Sequence, residues 1–417
     1  MGTIQPLRDF DDPSYSPHLS DEAMFGDSLD PYPKMREFAA RGSVQEGETR
    51  RNLWGLSHDM TLGEQRTFMV FGFDEIRTVL NSPELFSNSA YLAGLGRTFG
   101  RSITTMDPPE HTRYRTIFQK AFLPHVVATW APEFVDPVIQ ELFDAFATRG
   151  HAELMSEFVS RYPFEIIYRQ LKLPPGEGPI FHKLAIAMTL YMIDLPHGME
   201  ASEKLGVYFQ AMVEARRRNP GSDLISVLAT IEVDGEHLPD DVIVSFLRQL
   251  INAAGDTTYR STGNLLVALL AERPDQFEML KSDRSLIPKA IEETLRWEGP
   301  VNQNFRAARK DVELAGVHIP AGSILQTVTG LANRDPARFP DPDRFDLTRE
   351  NVRNRHLAFG QGPHICVGQH LARVEMTRAM NIMLDRFPNL RLDPDHPRPE
   401  IRGFSMRVPK RIHVRFD

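Results

Sequence analysis

Between residues 107 and 300 the apolar positions recur mostly at helical spacing, interrupted at Pro124, Pro174–Pro175, Pro196 and Pro220. Proline has no backbone N–H to give a helix interior, so each of these marks a predicted boundary. A period of two appears only briefly. TFMVF at 67–71 predicts a strand, followed by a short helix that ends before Pro83. DVELAGVHIPAGSIL at 311–325 alternates around a glycine and predicts a hairpin. Residues 84–106 are glycine-containing without a clear period and are expected to form a loop. Residues 334–364 are dense in Pro, Arg and Asp, and an irregular stretch of that length tends to be functional. A helix is predicted after Cys366, with short strands from 390 onward.

The longest predicted helix runs from about Pro239 to Ala271. Pro239 opens it, Asp240 and Asp241 suit its positive end, and Pro274 lies just beyond it. At ~1.5 Å per residue it spans roughly 50 Å, enough to cross a domain. Its middle reads Ala253-Ala-Gly-Asp-Thr-Thr258, small and polar where a crossing helix should be buried. A second helix is predicted over roughly 286–297. The pattern as a whole predicts a mainly α fold: one large helical domain over 36–417 with a minor β-sheet region, preceded by an irregular arm over 1–35.

Composition narrows the function. The 417 residues show no repeat, low-complexity tract or linker. The net charge is −8, so no basic excess argues for nucleic acid or an anionic membrane surface. The longest apolar run, Leu265–Ala271, is far short of the ~20 residues a membrane helix needs. The N-terminus has no apolar core for a signal peptide. A cytoplasmic protein without membrane contact is expected. There is a single cysteine, Cys366, which forbids an internal disulfide and any multi-cysteine zinc or iron–sulfur site within one chain.

That thiol sits in His356-Leu-Ala-Phe-Gly-Gln-Gly-Pro-His-Ile-Cys366-Val-Gly368, just before a helix. Glycines permit close approach of another body to the main chain. Free amides and the dipole at a helix N-terminus are expected to lower the thiol pKa. Three roles fit these residues: a buried small hydrophobe, a nucleophile with His364 or His370 as base, and a thiolate ligand to haem iron.

Phe359-x-x-Gly362-x-His364-x-Cys366-x-Gly368 resembles the haem-binding signature of the cytochrome P-450 family, with every defined position matched. The resemblance implies that Cys366 is the axial thiolate on the iron and that Phe359 packs beside it. It implies that Gly360 and Gly368 let the macrocycle lie against the loop, and that His364 contacts a propionate. Glu293-Thr-Leu-Arg296 is similar to the family's ExxR motif, a structural network whose third member matches Arg344. Asp256 and Thr257 resemble its oxygen-activation acid and alcohol. Ala254 stands where the family has glycine, with Gly255 after it, so Thr258 is the other candidate alcohol. In Asp107-Pro-Pro-Glu-His111-Thr-Arg-Tyr-Arg115, Asp107 reads as an N-cap and the next Pro as the first helical residue. His111 and Arg115 share a face of that helix. With Arg306 they match propionate partners.

The family's fold places haem between the long central helix and the cysteine-loop helix. Its chemistry implies haem b as cofactor and O2 as co-substrate. NAD(P)H serves indirectly, through a ferredoxin and its reductase, and a monomer is expected. A basic docking patch is expected from Arg113, Lys120, Arg353, Arg355 and Arg373. By family position the substrate pocket draws first on Phe86, Tyr91, Leu92 and Leu95, then on Met188 and Met192. Asn252, Ala253, Val301, Asn304 and Phe404 complete it. This lining suits a mid-sized apolar molecule such as a terpenoid, steroid or aromatic compound. Loops at 84–106 and 175–205 are expected to form the mobile entrance. The alternatives are a haem-thiolate peroxygenase or isomerase, or a non-catalytic haem-binding sensor.

Overall fold

The helix Asp240–Val267, 28 residues and about 42 Å long, passes through the middle of the molecule. Its first half, including Ile243, Leu247 and Ile251, packs in one apolar cluster with Phe118, Phe181 and Phe209. Leu265, Leu266 and Leu269, at and beyond its end, pack in a second cluster with Phe143, Ile291 and Met380. The small and polar middle lies between the two clusters. Gly255 is explained by a crossing: a Cβ there would sit 2.5 Å from the ring of Phe164, on the helix Tyr162–Gln170. The helix is therefore held at both ends and closely approached at its centre.

The computed structural model describes every residue except 1–3, 18–20, 175, 234, 354 and 417. Pro175 of the predicted break, and residues 1–3 and 18–20 of the predicted arm, lie outside the described residues. The rest of the arm is tied down. Leu7 and Phe10 are buried among the residues of the first cluster, and the Asp11 N–H donates to Glu200 at 2.9 Å. Short helices form at Asp21–Phe25 and Tyr32–Ala39, and the second crosses the expected boundary at 35.

Thr67–Val70 is a strand and Phe73–Asn81 the helix after it. The strand belongs to a five-stranded mixed sheet, in the order Val44–Glu46, Thr67–Val70, Ile324–Thr327, Asn304–Ala308, Phe86–Ser87. The predicted hairpin pairs Val312–Leu314 with Val317–Ile319, and Ala315 and Gly316 take positive φ at its turn. The expected loop at 84–106 contains a helix, and the expected entrance at 175–205, already helical by its spacing, is helical for most of its length. Residues 84–106 include Leu95–Phe99, and 175–205 is mostly the helix Gly178–Thr189 and the start of Leu195–Arg218. These last two helices roof the central helix, and Asn252 Nδ2 donates up to the Ala185 carbonyl at 3.2 Å.

The helix Ile287–Trp297 carries the ion pair that locks the irregular stretch. Arg296 Nε and Nη2 each lie 2.7 Å from a Glu293 carboxylate oxygen, and both side chains are buried. Arg296 also donates to the carbonyls of Asn333, Pro342 and Arg344, at 3.1, 2.8 and 3.2 Å. Arg344 thus contributes only its backbone, and its side chain is exposed. The third side chain is Arg349, whose Nε reaches Glu293 Oε1 at 3.2 Å. The next turn of the stretch carries Arg349 inward because Phe345 and Leu347 must be buried beside it.

Glu292, next to Glu293, makes a second tie. It holds His356 Nε2 at 3.0 Å and Arg373 Nε at 2.5 Å, joining this helix to the cysteine-loop helix Gln369–Arg386. Burial works against ionising Glu292, but the hydrogen bonds from His356 and Arg373 overcome it and hold its carboxyl down to about 2. Arg373 is thereby withdrawn from the expected basic patch, its side chain half-buried on Glu292.

Arg296→Ala is expected to lower the unfolding free energy by about 3–5 kcal/mol, because it strands a buried carboxylate. Arg349→Ala is expected to cost about 1–2 kcal/mol, and Arg344→Ala to stay within about 0.5 kcal/mol. Urea unfolding of the purified variants checks this, and equal losses at 344 and 349 would return the third place to Arg344. The Glu292 carboxyl titrates lower folded than unfolded, so its contribution is complete above the ordinary glutamate pKa. It is lost as pH falls from there toward 2. Glu292→Gln is expected to lower stability at neutral pH by about 3 kcal/mol and to flatten the acid limb of the stability profile.

Candidate functional site: a thiol facing the central helix

The cysteine loop is shaped by its own backbone. The Cys366 N–H donates to the Phe359 carbonyl at 2.8 Å, and the Ile365 N–H to the Gly362 carbonyl at 3.1 Å. Gly362 has φ +73°, and a Cβ there would lie 2.4 Å from the Leu80 carbonyl oxygen. Only glycine fits that position. The loop delivers Cys366 to the start of the helix Gln369–Arg386, as expected. The thiol pKa, however, is raised. Burial pushes it up more than the Gly368 and Gln369 N–H groups, Arg115 and Arg373 bring it down. Desolvation outweighs the helix terminus. Phe359 packs beside the loop with the Arg373 guanidinium 4.4 Å from its ring centre.

Cys366 opens onto a cavity of about 330 Å³ between its loop and the central helix. Gly360, Gly368 and Phe359 border it on the thiol side. Ala253, Thr257 and Ser261 form a stripe at i, i+4 and i+8 on the opposite wall. Thr257 Oγ1 donates back to the Ala253 carbonyl at 3.1 Å, and Ser261 Oγ to the Thr257 carbonyl at 2.8 Å. Thr258 also borders the cavity but is more deeply buried than Thr257. Asp256 lies off this wall, in a buried pair with Arg260 at 3.1 Å.

A smaller lobe of about 190 Å³ shares Cys366 and reaches Arg115, Arg306 and His364. His111 and His364 stack there, ring centres 3.9 Å apart. Both nitrogens of His111 and Nε2 of His364 are buried with no hydrogen-bond partner. Burial, then Arg115 and Arg306, hold His111 down to about 4. Burial, then His111, Arg306 and Arg115, push His364 down to about 2. Arg115 spends one bond on the Ile365 carbonyl at 2.6 Å and Arg306 one on the Phe305 carbonyl at 2.7 Å. No carboxylate pairs with either arginine among the described residues. This corner has a surplus of donors, which an anionic group would satisfy. The set fits haem: a thiol for iron, a slot walled by glycines, and orphaned imidazole nitrogens beside guanidiniums without a carboxylate where propionates would lie.

Asp107 is placed otherwise than expected. The helix is Glu110–Lys120 with Pro109 at its cap, and the Asp107 carboxylate accepts from Ser87 and the Asn88 N–H and pairs with Arg309 at 2.6 Å. Two successive prolines offer that carboxylate no N–H, so it turns to the neighbouring strand instead. It still orients the site, since Asn88 Nδ2 meets His364 Nδ1 at 3.1 Å.

Of the expected pocket residues, Tyr91, Ala253, Val301 and Asn304 border these two lobes. Seven do not. Phe86 is a sheet residue packed with Phe68 and Ile76, and Leu92 is 48% exposed. Leu95 and Met188 pack into the first core cluster, and Met192 against Met24 and Phe25. Asn252 points up to Ala185, and Phe404 stacks on Trp54 with ring centres 5.1 Å apart. The residues sequence reasoning missed are Thr104, Phe246 and Leu250, which border the lobes, and the Glu292–His356–Arg373 tie. Leu250 is four residues from Ala254, and helical spacing could have found it.

Comparison with known proteins agrees with this geometry. The profile of the family Cytochrome P450 matches residues 194–416. A putative cytochrome P450 133B1 of Xylella fastidiosa is 36% identical over 315 residues, covering 74% of this chain and 77% of that protein. The cytochrome P450 monooxygenase PikC of Streptomyces venezuelae is 31% identical over 406 residues, 94% of each chain. The crystal structure of CYP109E1 from Bacillus megaterium in complex with testosterone superposes with a TM-score of 0.81. It is 29% identical and covers 93% of this chain and 99% of that one. With its one thiol facing a threonine across a glycine-walled slot, and with these relatives, the chain belongs to the cytochrome P450 family of haem b monooxygenases, which draw electrons from NAD(P)H through redox partners.

Proposed function

We propose that this monooxygenase hydroxylates a mid-sized apolar substrate, with electrons from a ferredoxin and its reductase, as a monomer in the cytoplasm. The observation that carries it is the placement of the chain's single thiol opposite Thr257, in a slot edged by imidazole nitrogens without partners and by guanidiniums without a carboxylate among the described residues. Haem bound in that slot supplies O2 activation. Cys366 would supply the thiolate that holds its iron, and the Gly368 and Gln369 N–H groups would support that thiolate. His111, Arg115, Arg306 and His364 would hold its propionates. Thr257 keeps a hydroxyl proton at the cavity wall. Asp256 brings protons from the other face of the helix by exchanging its Arg260 pair.

The apolar wall of Ala253, Val301, Leu250 and Leu295 supports an apolar substrate. The testosterone complex of CYP109E1 and the similarity to 6-deoxyerythronolide B hydroxylase of Saccharopolyspora erythraea, 32% identical over 350 residues, support one of steroid size or larger. For the redox partner, the basic residues left on the thiol side are Arg113, Lys120, Arg353 and Arg355, all exposed. They suit an acidic ferredoxin. No helix among the described residues is long and apolar enough to cross a membrane.

Cys366→His is expected to abolish the red-shifted Soret band of the reduced CO complex; a retained shift would remove Cys366 from the axial position. Thr257→Ala is expected to uncouple NAD(P)H consumption from product formation, while Thr258→Ala leaves the two coupled. Unchanged coupling in the first variant would sink the proton-holding role. Turnover with peroxide alone, equal to that with ferredoxin and reductase, would favour the peroxygenase alternative.

A further inference from the structure

We propose that Arg248 is a carboxylate anchor for the substrate, so that this enzyme takes amphiphiles carrying a carboxylate at one end and presents their apolar end to the thiol. The proposal rests on the monooxygenase reading above and names the substrate class of that site. Arg248 stands on the central helix nine residues before Thr257, about 13 Å along the axis. Its Nε is buried with no hydrogen-bond partner, and among the described residues no carboxylate lies within ion-pair distance of its guanidinium. Burial lowers its pKa with no opposing charge. Four deeply buried arginines are paired with carboxylates. Arg296 has Glu293, Arg334 and Arg407 share Glu298, and Arg260 has Asp256.

Two glycines make the room. A Cβ at Gly206, on the roof helix Leu195–Arg218, would lie 1.7 Å from Arg248 Nη2. A Cβ at Gly100, after the helix Leu95–Phe99, would lie 2.5 Å from Ser245 Oγ and 3.7 Å from Arg248 Nη1. The guanidinium is therefore seated between the roof and the Gly100 turn. Ser102, two residues on, has a buried Oγ without a partner. Nearby Arg101 is taken by Glu110. One guanidinium and one hydroxyl match a single carboxylate, and a phosphate would call for more donors. Arg248 itself borders neither lobe of the cavity, but its neighbours do. Phe246, Gln249 and Leu250, which flank Arg248 in sequence, border the lobe that reaches Cys366.

The test titrates the purified haem-loaded protein with dodecanoate and with methyl dodecanoate. It reads the low-spin to high-spin Soret shift and, in parallel, the rise in melting temperature. The wild type is expected to bind dodecanoate more tightly than the ester. Arg248→Gln is expected to weaken dodecanoate about ten- to a hundredfold and leave the ester unchanged, with Arg248→Lys restoring part of the loss. Equal weakening of both ligands, or unchanged dodecanoate affinity, overturns the anchor. Arg248→Met is expected to raise the melting temperature of the ligand-free protein, since it removes an unpaired charge; a fall would mean the guanidinium is already satisfied and also overturns it. If dodecanoate gives neither a shift nor stabilisation while the reduced CO complex keeps its thiolate signature, the anchor fails and the monooxygenase reading stands. Loss of that signature fails the reading itself.

Discussion

Arg296 and Glu293 meet without water, on one turn of one helix, and Arg296 then reaches three carbonyls of a stretch that has no regular structure. A buried ion pair of this kind gains little over an apolar pair of the same size. Its value is geometric. The described residues of 334–358 form no sheet or long helix, so the guanidinium supplies the missing backbone donors. Breaking it would leave a carboxylate and several carbonyls unsatisfied at once. The Glu292 tie to His356 and Arg373 does the same for the following segment. Between them the two adjacent acids fix where the cysteine loop begins and where its helix lies. The position of Cys366 against the central helix depends on that.

The slot between loop and helix has the opposite electrostatics. Its edge gathers two imidazoles and two guanidiniums, and the nearest carboxylate, Asp107, is spent on Ser87, Asn88 and Arg309. Left alone, such a corner is unfavourable, and the depressed histidine pKa values express that cost. It becomes favourable when an anion fills it. The protein thus holds donors in place ahead of the group they serve, and burial keeps water from satisfying them instead.

Much of this was legible in the order of residues. A thiol, a histidine and three glycines within nine positions have few structural explanations, and His111 and Arg115 share a helix face by spacing alone. The central helix was legible from its length and its polar middle. What was not legible depends on which neighbour covers a side chain. The roof helix Leu195–Arg218 is packed on one side against the central helix and on another by the N-terminal arm, contacts that its helical spacing alone does not reveal. Phe86 and Phe404 are apolar at pocket-like positions, yet the sheet and Trp54 claim them. Arg344 and Arg349 are both arginines of an irregular stretch, and only the burial of Phe345 and Leu347 decides which turns inward.

The arginines make the same point about energetics. Arg260, Arg296, Arg334 and Arg407 are each deeply buried, and each lies on a carboxylate. The fold therefore has the means to compensate a guanidinium wherever one serves only stability. Arg50, also buried, is held by the Met24 and Ser57 carbonyls, whereas Arg115, Arg306 and Arg248 have no carboxylate among the described residues; Arg115 and Arg306 border the lobe at the thiol, and Arg248 stands one residue from Gln249 of its lining. Arg115 and Arg306 would be satisfied by the propionates of the proposed haem. Arg248 stands about 13 Å along the central helix from Thr257, and no carboxylate among the described residues pairs with it. A cation left uncompensated beside a substrate path is most simply understood as half of an ion pair whose other half arrives with the substrate.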